Sequence, residues 1–346
     1  GLVMIYSSSF ARALYESGDS AYYFKRQGIF ALVGTAAMLA ISRVRPELIR
    51  KMAFPVLGVS ILFLILVFVP GIGRAENGAT RWVSLGISFQ PSEVAKLGVI
   101  LSFAAMITRF GENMETFRWG IAPFVGILAV IVVLLRLEPH NSAIVIIACT
   151  AGAMLFLGGV KYRWFVLGGC AMLLGLILIL GAGGYEASRI TAWQDPFSDP
   201  TDDGYQIIQS LYAIGSGGLF GLGFGQGRQK YLYLPEEHND YIFSIACEEL
   251  GLTGAAAILL LYALLILRGY WISMHIRDRF LSLTVAGITT LTALQVFFNI
   301  GVVTNLLPST GISLPFFSYG GTALLIQLGE MGIILGASRQ CSAGFL

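Results

Sequence analysis

Long apolar runs separated by short polar connections make up most of this chain. Nine of them have the length of a membrane-spanning helix, roughly 17–25 predominantly apolar residues. They lie near 28–44, 54–70, 94–110, 121–137, 141–159, 164–183, 241–267, 281–304 and 319–338. Residues 1–7 resemble the end of another span, and because the chain opens on Gly1 rather than Met we expect a truncated first helix. The pattern predicts an all-α polytopic membrane protein, a ten-helix transmembrane bundle.

Composition supports this class. Of the 346 residues, 56% are hydrophobic and only 12% are charged, against about 25% charged in soluble domains. The mean hydropathy is +0.76. A formal charge of +2 without a basic block argues against a nucleic-acid partner. The four cysteines show no metal or disulfide spacing, so we interpret them as small buried side chains.

Lys and Arg are enriched in the cytoplasmic loops of membrane proteins, which allows the chain to be oriented. A cytoplasmic N-terminus places the larger set in inner loops: Arg43, Arg45, Arg50, Lys51, Arg109, Arg118, Lys161, Arg163, Arg268, Arg277 and Arg279. The short outer loops then hold only Arg12, Lys25, Arg26, Arg74, Arg81 and Arg136. The connections at 71–93, 184–240 and 305–318 are therefore expected on the extracytoplasmic side.

The connection at 184–240 is the longest, and it lies between predicted helices 7 and 8. Loops of this length are usually functional or disordered, but this one contains several aromatic residues. We expect an ordered extracytoplasmic cap with a short amphipathic helix at 207–212. No second domain or internal repeat is visible, so the chain is predicted to be a single domain, 1–346.

A polar stripe is predicted at the start of the helix that follows this loop. Asp240, Ser244 and Glu248 are spaced to share one helix face. Ionisable residues beside hydrocarbon are costly and usually functional, so the stripe indicates a water-filled cavity open to the outer surface. The alternative is that Asp240 caps the helix N-terminus, and the two roles are compatible.

A second candidate group precedes the span at 94–110. Pro91 and Ser92 mark a helix start, with Ser92 as the predicted N-cap, and Glu93 and Lys96 can form an i, i+3 pair. Either this pair only closes the top of the helix, or Lys96 lies near an anionic group such as a phosphate.

Two further groups are polar or rich in glycine. Gln295 and Asn299 share a helix face before the uncharged 305–321 loop, which resembles a re-entrant segment lining a cavity. Gln327 and Glu330 are interpreted as interhelical hydrogen-bonding residues. The Gly215–Gly227 run precedes Arg228 and Lys230, and its main-chain N–H groups could bind an anion; simple loop flexibility is the alternative.

At these motifs the sequence resembles the SEDS family (shape, elongation, division and sporulation), which includes RodA, FtsW and SpoVE. The resemblance covers nearly the whole chain and is carried by NGATRW, FQPSEVAK, GQGRQKYLYLPEEHNDYIFSIACEELG and NLLPSTGISLPFFSYGG. The amino-acid sequence of residues 229–236 is more similar to the FtsW and SpoVE branch than to RodA. One departure is Glu138-Pro139-His140-Asn141-Ser142, where many members read Pro-Asp-Leu-Gly-Thr. We therefore leave this turn out of the predicted active site.

The resemblance implies a peptidoglycan glycosyltransferase of the bacterial plasma membrane that polymerises lipid II beside a class B penicillin-binding protein. It places the family's essential aspartate at Asp240, its conserved tryptophan at Trp82, and its acid–lysine pair at Glu93 and Lys96. Asp240 would act as general base, and a divalent cation, Mg or Mn, would be a candidate cofactor. The predicted substrate-binding residues are Trp82, Glu93, Lys96, Arg228, Lys230, His238, Ser244, Glu248, Asn299 and Ser318.

Within this set, Lys96, Arg228 and Lys230 are the candidates for binding the departing diphosphate, and His238 with its acidic neighbours shapes the cavity mouth. The competing hypothesis is a lipid II flippase without covalent chemistry. A flippase needs access from both sides of the membrane, whereas the unusual residues cluster on the outer side. A third hypothesis is a scaffold that only recruits the transpeptidase.

Overall fold

Helices account for most of the chain in the computed structural model. The structure describes residues 1–76, 79–84, 86, 88–169, 185–201 and 204–341. The helices, numbered along the chain, are α1 Leu2–Ser17, α2 Tyr22–Ile41, α3 Pro46–Leu66, α4 Pro91–Phe110, α5 Ala122–Leu137, α6 Asn141–Leu157, α7 Tyr185–Gln194, α8 Tyr205–Gly217, α9 Ile242–His275, α10 Arg279–Val303 and α11 Gly321–Ser338. Residues 162–169 are also helical.

Seven helical stretches within the described residues are long and apolar enough to cross a membrane: Tyr22–Ile41, Pro46–Leu66, Pro91–Glu115, Phe117–Leu137, Ile242–His275, Arg279–Val303 and Gly321–Ser338. Asn141–Leu157 is apolar but shorter. These helices confirm the predicted class, a multi-pass α-helical membrane protein. Most of the span predicted at 164–183 lies outside the described residues.

A small antiparallel sheet lies in the connection before α4. Its strands are β1 Gly73–Glu76, β2 Ala79–Ser84 and β3 Ser88–Phe89, in the order β1-β2-β3. The pattern of apolar residues did not predict this sheet. The predicted Ser92 N-cap is also wrong: Gln90 precedes the helix, Pro91 opens it, and no side chain caps the first turn. Proline suits this position because its missing N–H would lack a helical partner there.

Contacts group the chain into two units, each built from separate segments. The first comprises Gly1–Ile29, Leu167–Leu264 and Gln295–Gly320 and is called the Asp240 unit. The second comprises Phe30–Val166, Leu265–Leu294 and Gly321–Leu346 and is called the Lys96 unit. Several long helices contribute one part to each unit, since the divisions fall inside α2, α9 and α10.

In the Lys96 unit, α4 is buried along much of its length and packs against α3 and α6. Small residues permit this close approach. A side chain at Gly98 would come within 3.1 Å of the Leu57 Cα of α3. The first two turns of α4, which carry Glu93 and Lys96, are therefore buried within the Lys96 unit.

In the Asp240 unit, α9 is interrupted at Gly251, where the main chain has φ 67° and ψ −168°. A segment of the preceding loop fills the interruption. The carbonyls of Glu248 and Glu249 accept hydrogen bonds from the N–H groups of Leu222 and Gly223 at 3.0 and 3.1 Å. The N–H groups of Leu252 and Thr253 donate to the carbonyls of residues 218 and 219 at 2.9 and 3.1 Å. The loop thus satisfies main-chain groups that the helix break releases.

Candidate functional site

Asp240 lies in the turn just before α9, which begins at Ile242. One carboxylate oxygen, Oδ2, is close to Gly311 of the uncharged loop: a Cβ atom on that glycine would lie 3.3 Å away. Gly311 has φ +66°, a conformation that glycine adopts without the penalty of a side chain. Glycine at this position therefore leaves room for the carboxylate beside the loop.

The main-chain carbonyls of three consecutive residues join the Asp240 turn to the uncharged loop and α10. The carbonyl of His238 accepts a hydrogen bond from the Tyr319 N–H at 2.9 Å. The carbonyl of Asn239 accepts from Ser318 Oγ at 2.8 Å, and that of Asp240 accepts from Asn299 Nδ2 at 2.7 Å. The loop and the turn therefore form one hydrogen-bonded structure, and Ser318 and Asn299 have structural partners.

Two residues of the predicted polar stripe, Ser244 and Glu248, are buried and hydrogen-bonded within the protein. Ser244 is fully buried and shares a 2.7 Å hydrogen bond with Ser210 of α8, which also donates to the Val303 carbonyl. The carboxylate of Glu248, one per cent exposed, accepts hydrogen bonds from the main-chain N–H groups of Arg228 at 2.8 Å and Gln229 at 3.2 Å. The helical spacing is as predicted, and both side chains have hydrogen-bond partners within the protein.

Two main-chain N–H groups just after the Gly-rich run bind an anion, which is the protein's own Glu248 carboxylate. Consecutive N–H groups at residues 228 and 229 enclose the Glu248 carboxylate. Gly227 permits this approach, because a Cβ atom there would lie 2.8 Å from Glu248 Oε2. The N–H groups of residues 228 and 229 are therefore engaged within the protein, whereas the anion-binding role of the Gly215–Gly227 run stays a prediction.

Two ion pairs with buried carboxylates involve the segment that leads to Asp240, and α1 contacts both of them through Arg12 and Ser7. Arg12 donates from Nε and Nη2 to the two oxygens of the fully buried Glu237 carboxylate, both at 2.8 Å. Lys230 Nζ lies 2.7 Å from Glu249 Oε1, and Ser7 Oγ donates to the same carboxylate. Burial raises the pKa of Glu237, whereas Arg12 acts in the opposite direction. Lys230 thus has an internal carboxylate partner, while Arg228 is exposed.

His238 is buried beside two aromatic rings. Its ring centroid lies 4.6 Å from that of Tyr23 and 5.7 Å from that of Tyr319. Burial lowers the pKa of His238 to about 4, so the imidazole is neutral at neutral pH. This environment agrees with a role in shaping the turn before Asp240.

The Lys96 unit contains the other predicted residues. Lys96 Nζ and Glu93 Oε1 are 2.7 Å apart in a buried pair, as their spacing predicted. Glu330 of α11 interacts electrostatically with both groups. Trp82 lies in β2, opposite Arg74 of β1. The structure therefore places Trp82, Glu93 and Lys96 in a different unit from the other predicted site residues.

The turn between α5 and α6, which is not part of the predicted active site, contains buried polar groups. Arg81 donates to the main-chain carbonyls of Glu138, at 3.4 Å, and Pro139, at 2.5 Å. Both carboxyl oxygens of Glu138 are buried without a hydrogen-bond partner among the described residues. Burial raises the pKa of Glu138 to about 8, although Arg81 opposes the shift, and lowers the pKa of His140 to about 3. Both groups are uncharged at neutral pH.

No group of three or more His, Cys, Asp or Glu residues could hold a metal ion in the part of the chain that the structure describes. Two residues with side-chain oxygens adjoin this site in sequence: Asn239 precedes Asp240, and Thr310 precedes Gly311, which lies beside the Asp240 carboxylate. Asn239 Oδ1 and Thr310 Oγ1 are buried and have no hydrogen-bond partner among the described residues. A carboxylate with neutral oxygens is a donor set that suits Mg²⁺ or Mn²⁺, so these residues fit the predicted cofactor class.

The fold and these buried polar groups define a multi-pass membrane protein with a polar segment, residues 204–240, before α9. Residues 1–343 match the family described as cell cycle protein, whose members are FtsW, RodA and SpoVE. Stage V sporulation protein E of Bacillus subtilis (strain 168) is 40% identical over 340 residues, which cover 98% of this chain and 93% of that protein. This chain belongs to the FtsW, RodA and SpoVE family, which confirms the resemblance.

Other relatives and solved structures agree with this assignment. A protein named probable peptidoglycan glycosyltransferase FtsW, from Geobacter metallireducens, is 40% identical over 342 residues, covering 98% of this chain and 91% of that protein. A chain from a structure of a peptidoglycan synthase complex, described as coordinating polymerization and crosslinking, has a TM-score of 0.81 and 28% identity, covering 99% and 97%. Thermus thermophilus rod shape determining protein RodA has a TM-score of 0.69 and 28% identity, covering 99% and 95%.

Proposed function

We propose that this protein is a peptidoglycan glycosyltransferase that polymerises lipid II on the extracytoplasmic side of the bacterial plasma membrane. The observation that carries the proposal is the position of Asp240. Its turn is hydrogen-bonded at three consecutive carbonyls to an uncharged, Gly/Pro-rich loop. The relatives named peptidoglycan glycosyltransferase and the peptidoglycan synthase structure support the same reaction class.

In the proposed reaction, Asp240 acts as general base. The carboxylate accepts the proton of the acceptor's 4-hydroxyl while that oxygen forms a bond to the anomeric carbon of the donor. The bond from the anomeric carbon to the diphosphate oxygen breaks, and undecaprenyl diphosphate leaves with the electron pair. A single displacement of this kind inverts the anomeric configuration. A positioned base contributes roughly 10²–10⁴-fold to such a proton transfer.

The leaving diphosphate needs positive charge or N–H donors nearby. Among the three predicted cations, Lys96 and Lys230 are buried and paired with carboxylates, whereas Arg228 is exposed. We therefore assign the first diphosphate contact to the Arg228 guanidinium. Asp240 with the neutral oxygens of Asn239 and Thr310 would hold a divalent cation, which would supply additional positive charge when bound.

A class B penicillin-binding protein is the proposed partner, because the glycan product would then be cross-linked where it is made. The solved peptidoglycan synthase complex, which coordinates polymerization and crosslinking, supports this pairing.

The reaction can be tested by incubating purified protein in detergent with labelled lipid II and measuring polymer. In detergent there is no membrane across which lipid II could be moved, and a flippase would form no polymer. Wild-type protein should make glycan strands, and Asp240→Asn should lower the rate by roughly 10²–10⁴-fold. Asp19→Asn is the matched control, since Asp19 lies between α1 and α2, has a side chain that is 44% exposed, and pairs with Lys25. Full activity of Asp240→Asn would reject the assigned base, and absence of polymer with wild-type protein would favour the flippase.

A further inference from the structure

The side chain of Asn299 connects two separate segments of the Asp240 unit. It is one per cent exposed and projects from the interior of α10. Its Nδ2 atom donates to the main-chain carbonyl of Asp240 and to that of Ile312, both at 2.7 Å. A single amide group therefore holds the turn before α9 and the uncharged loop at the same time.

The orientation of this amide follows from its neighbours. Both partners are carbonyl oxygens, which can only accept hydrogen bonds, so the NH₂ group and not the oxygen must face them. The remaining oxygen, Oδ1, is buried and has no hydrogen-bond partner among the described residues. Both amide protons are thus committed to main-chain carbonyls, which leaves no N–H on Asn299 to donate to a substrate in this arrangement.

The bond to Asp240 constrains the residue that carries the carboxylate. The carbonyl carbon and the side chain of Asp240 are both attached to the same Cα, so a hydrogen bond that holds the carbonyl also restricts displacement of the atom from which the carboxylate projects. Gly311 lies only one residue before Ile312, and the Asp240 Oδ2 atom lies beside Gly311. Asn299 therefore fixes both the carboxylate-bearing residue and the loop segment next to the carboxylate.

We propose that Asn299 is a positioning residue, which holds the Asp240 carboxylate in the geometry needed to accept the proton of the acceptor hydroxyl. This inference rests on the proposed polymerase activity and replaces the predicted role of Asn299 in substrate binding. A misplacement of about 1 Å at a reacting group can cost on the order of 10²-fold in rate. The loss should appear in kcat because substrate contacts are unchanged.

The first test compares Asn299→Ala with wild type in the lipid II polymerisation assay, with rates normalised to folded protein. We expect kcat to fall by on the order of 10²-fold with KM unchanged. Thr292→Val is the matched control from the same helix, because Thr292 Oγ1 donates to the Ile288 carbonyl within α10. Should Asn299→Ala fail to fold, Asn299→Leu keeps a similar volume while removing both donors.

A double-mutant cycle with Asp240→Asn separates positioning from a purely structural role. If Asn299 acts through Asp240, adding Asn299→Ala to Asp240→Asn should not lower the residual single-turnover rate further. Multiplicative losses would overturn the proposal, as would wild-type kcat in Asn299→Ala. Inactive wild-type protein would instead reject the proposed function, so the two failures can be distinguished.

Discussion

Arg12 and Glu237, which are 225 residues apart in sequence, form a two-pronged ion pair between α1 and the segment before Asp240. The Glu237 side chain is fully buried, whereas Arg12 remains 22% exposed. The pair therefore holds a buried carboxylate that has little access to water. The first helix is consequently part of the structure that supports the proposed base.

Removal of Arg12 should destabilise the protein strongly. Arg12→Ala leaves the Glu237 carboxylate buried without its counter-ion, which typically costs about 3–5 kcal/mol. Since Arg12 counteracts the burial that raises the pKa of Glu237, its loss raises that pKa further. A raised carboxyl pKa costs stability as pH increases, so the loss should be larger at pH 8 than at pH 5.

Thermal unfolding in detergent at the two pH values measures this effect. Lys25→Ala is the control, because Lys25 and Asp19 form an ion pair with side chains 63% and 44% exposed. Such exposed pairs contribute about 0–1 kcal/mol. Equal losses of thermal stability in Arg12→Ala and Lys25→Ala would contradict the larger contribution expected from the Arg12–Glu237 pair. Arg12→Met with Glu237→Leu should recover much of the stability, since no buried charge is left unpaired.

Truncation of Glu248 should release the segment at 228–229. Glu248→Ala removes a charged acceptor from two main-chain N–H groups, and hydrogen bonds to charged groups contribute about 1.5–3 kcal/mol each. Glu248→Gln keeps one oxygen acceptor and should cost less. Hydrogen exchange at the amides of Arg228 and Gln229 should accelerate in Glu248→Ala, and unchanged exchange there would argue against this anchoring role.

Gly251→Ala should destabilise the break in α9. An alanine at φ 67° is strained by about 1–2 kcal/mol, and its Cβ would lie 2.3 Å from the Gly221 nitrogen. Gly215→Ala is the matched control, because Gly215 lies inside α8 with no atom within 4 Å of the added Cβ. It should be neutral or stabilising by about 0.5–1 kcal/mol. A similar unfolding temperature for both variants would contradict this prediction.

Glu138→Gln should change how stability depends on pH. Because burial raises the pKa of Glu138 from 4.5 to about 8, its protonated form favours the folded state. That contribution is complete below the unfolded pKa and is lost as pH rises through about 8. Wild-type protein should therefore lose more thermal stability than Glu138→Gln between pH 5 and 9. Glu112→Gln, at an exposed position, should behave as wild type; parallel curves for all three proteins would reject the prediction.

Sequence patterns predicted the long helices well because each apolar run has a length set by the membrane. The predicted span at 281–304 corresponds to Arg279–Val303, and the amphipathic segment at 207–212 lies within α8. The small sheet was missed because its strands are short and partly polar. Asn77-Gly78, a dipeptide common in tight hairpins, stands between its first two strands and was the available sequence signal.

The hydrogen-bond partners of the site residues could not be predicted from the sequence. Spacing placed Ser244 and Glu248 on one face of α9, but their partners come from segments 34 and 20 residues earlier. The bonds from Asn299 and Ser318 to the Asp240 turn likewise depend on tertiary structure. Periodicity identifies which face of an element is polar, whereas the identity of the partner depends on how the chain folds back.

The loop segment that fills the break at Gly251 also bears on the biogenesis of the protein. A continuous helix can enter a membrane with its own hydrogen bonds complete, but α9 leaves carbonyl and N–H groups open on both sides of the break. The residues that pair with them, 218–223, precede α9 in the chain and are synthesised first. Because residues 218–223 are already present when the second half of α9 is made, we expect insertion of this helix to depend on that segment.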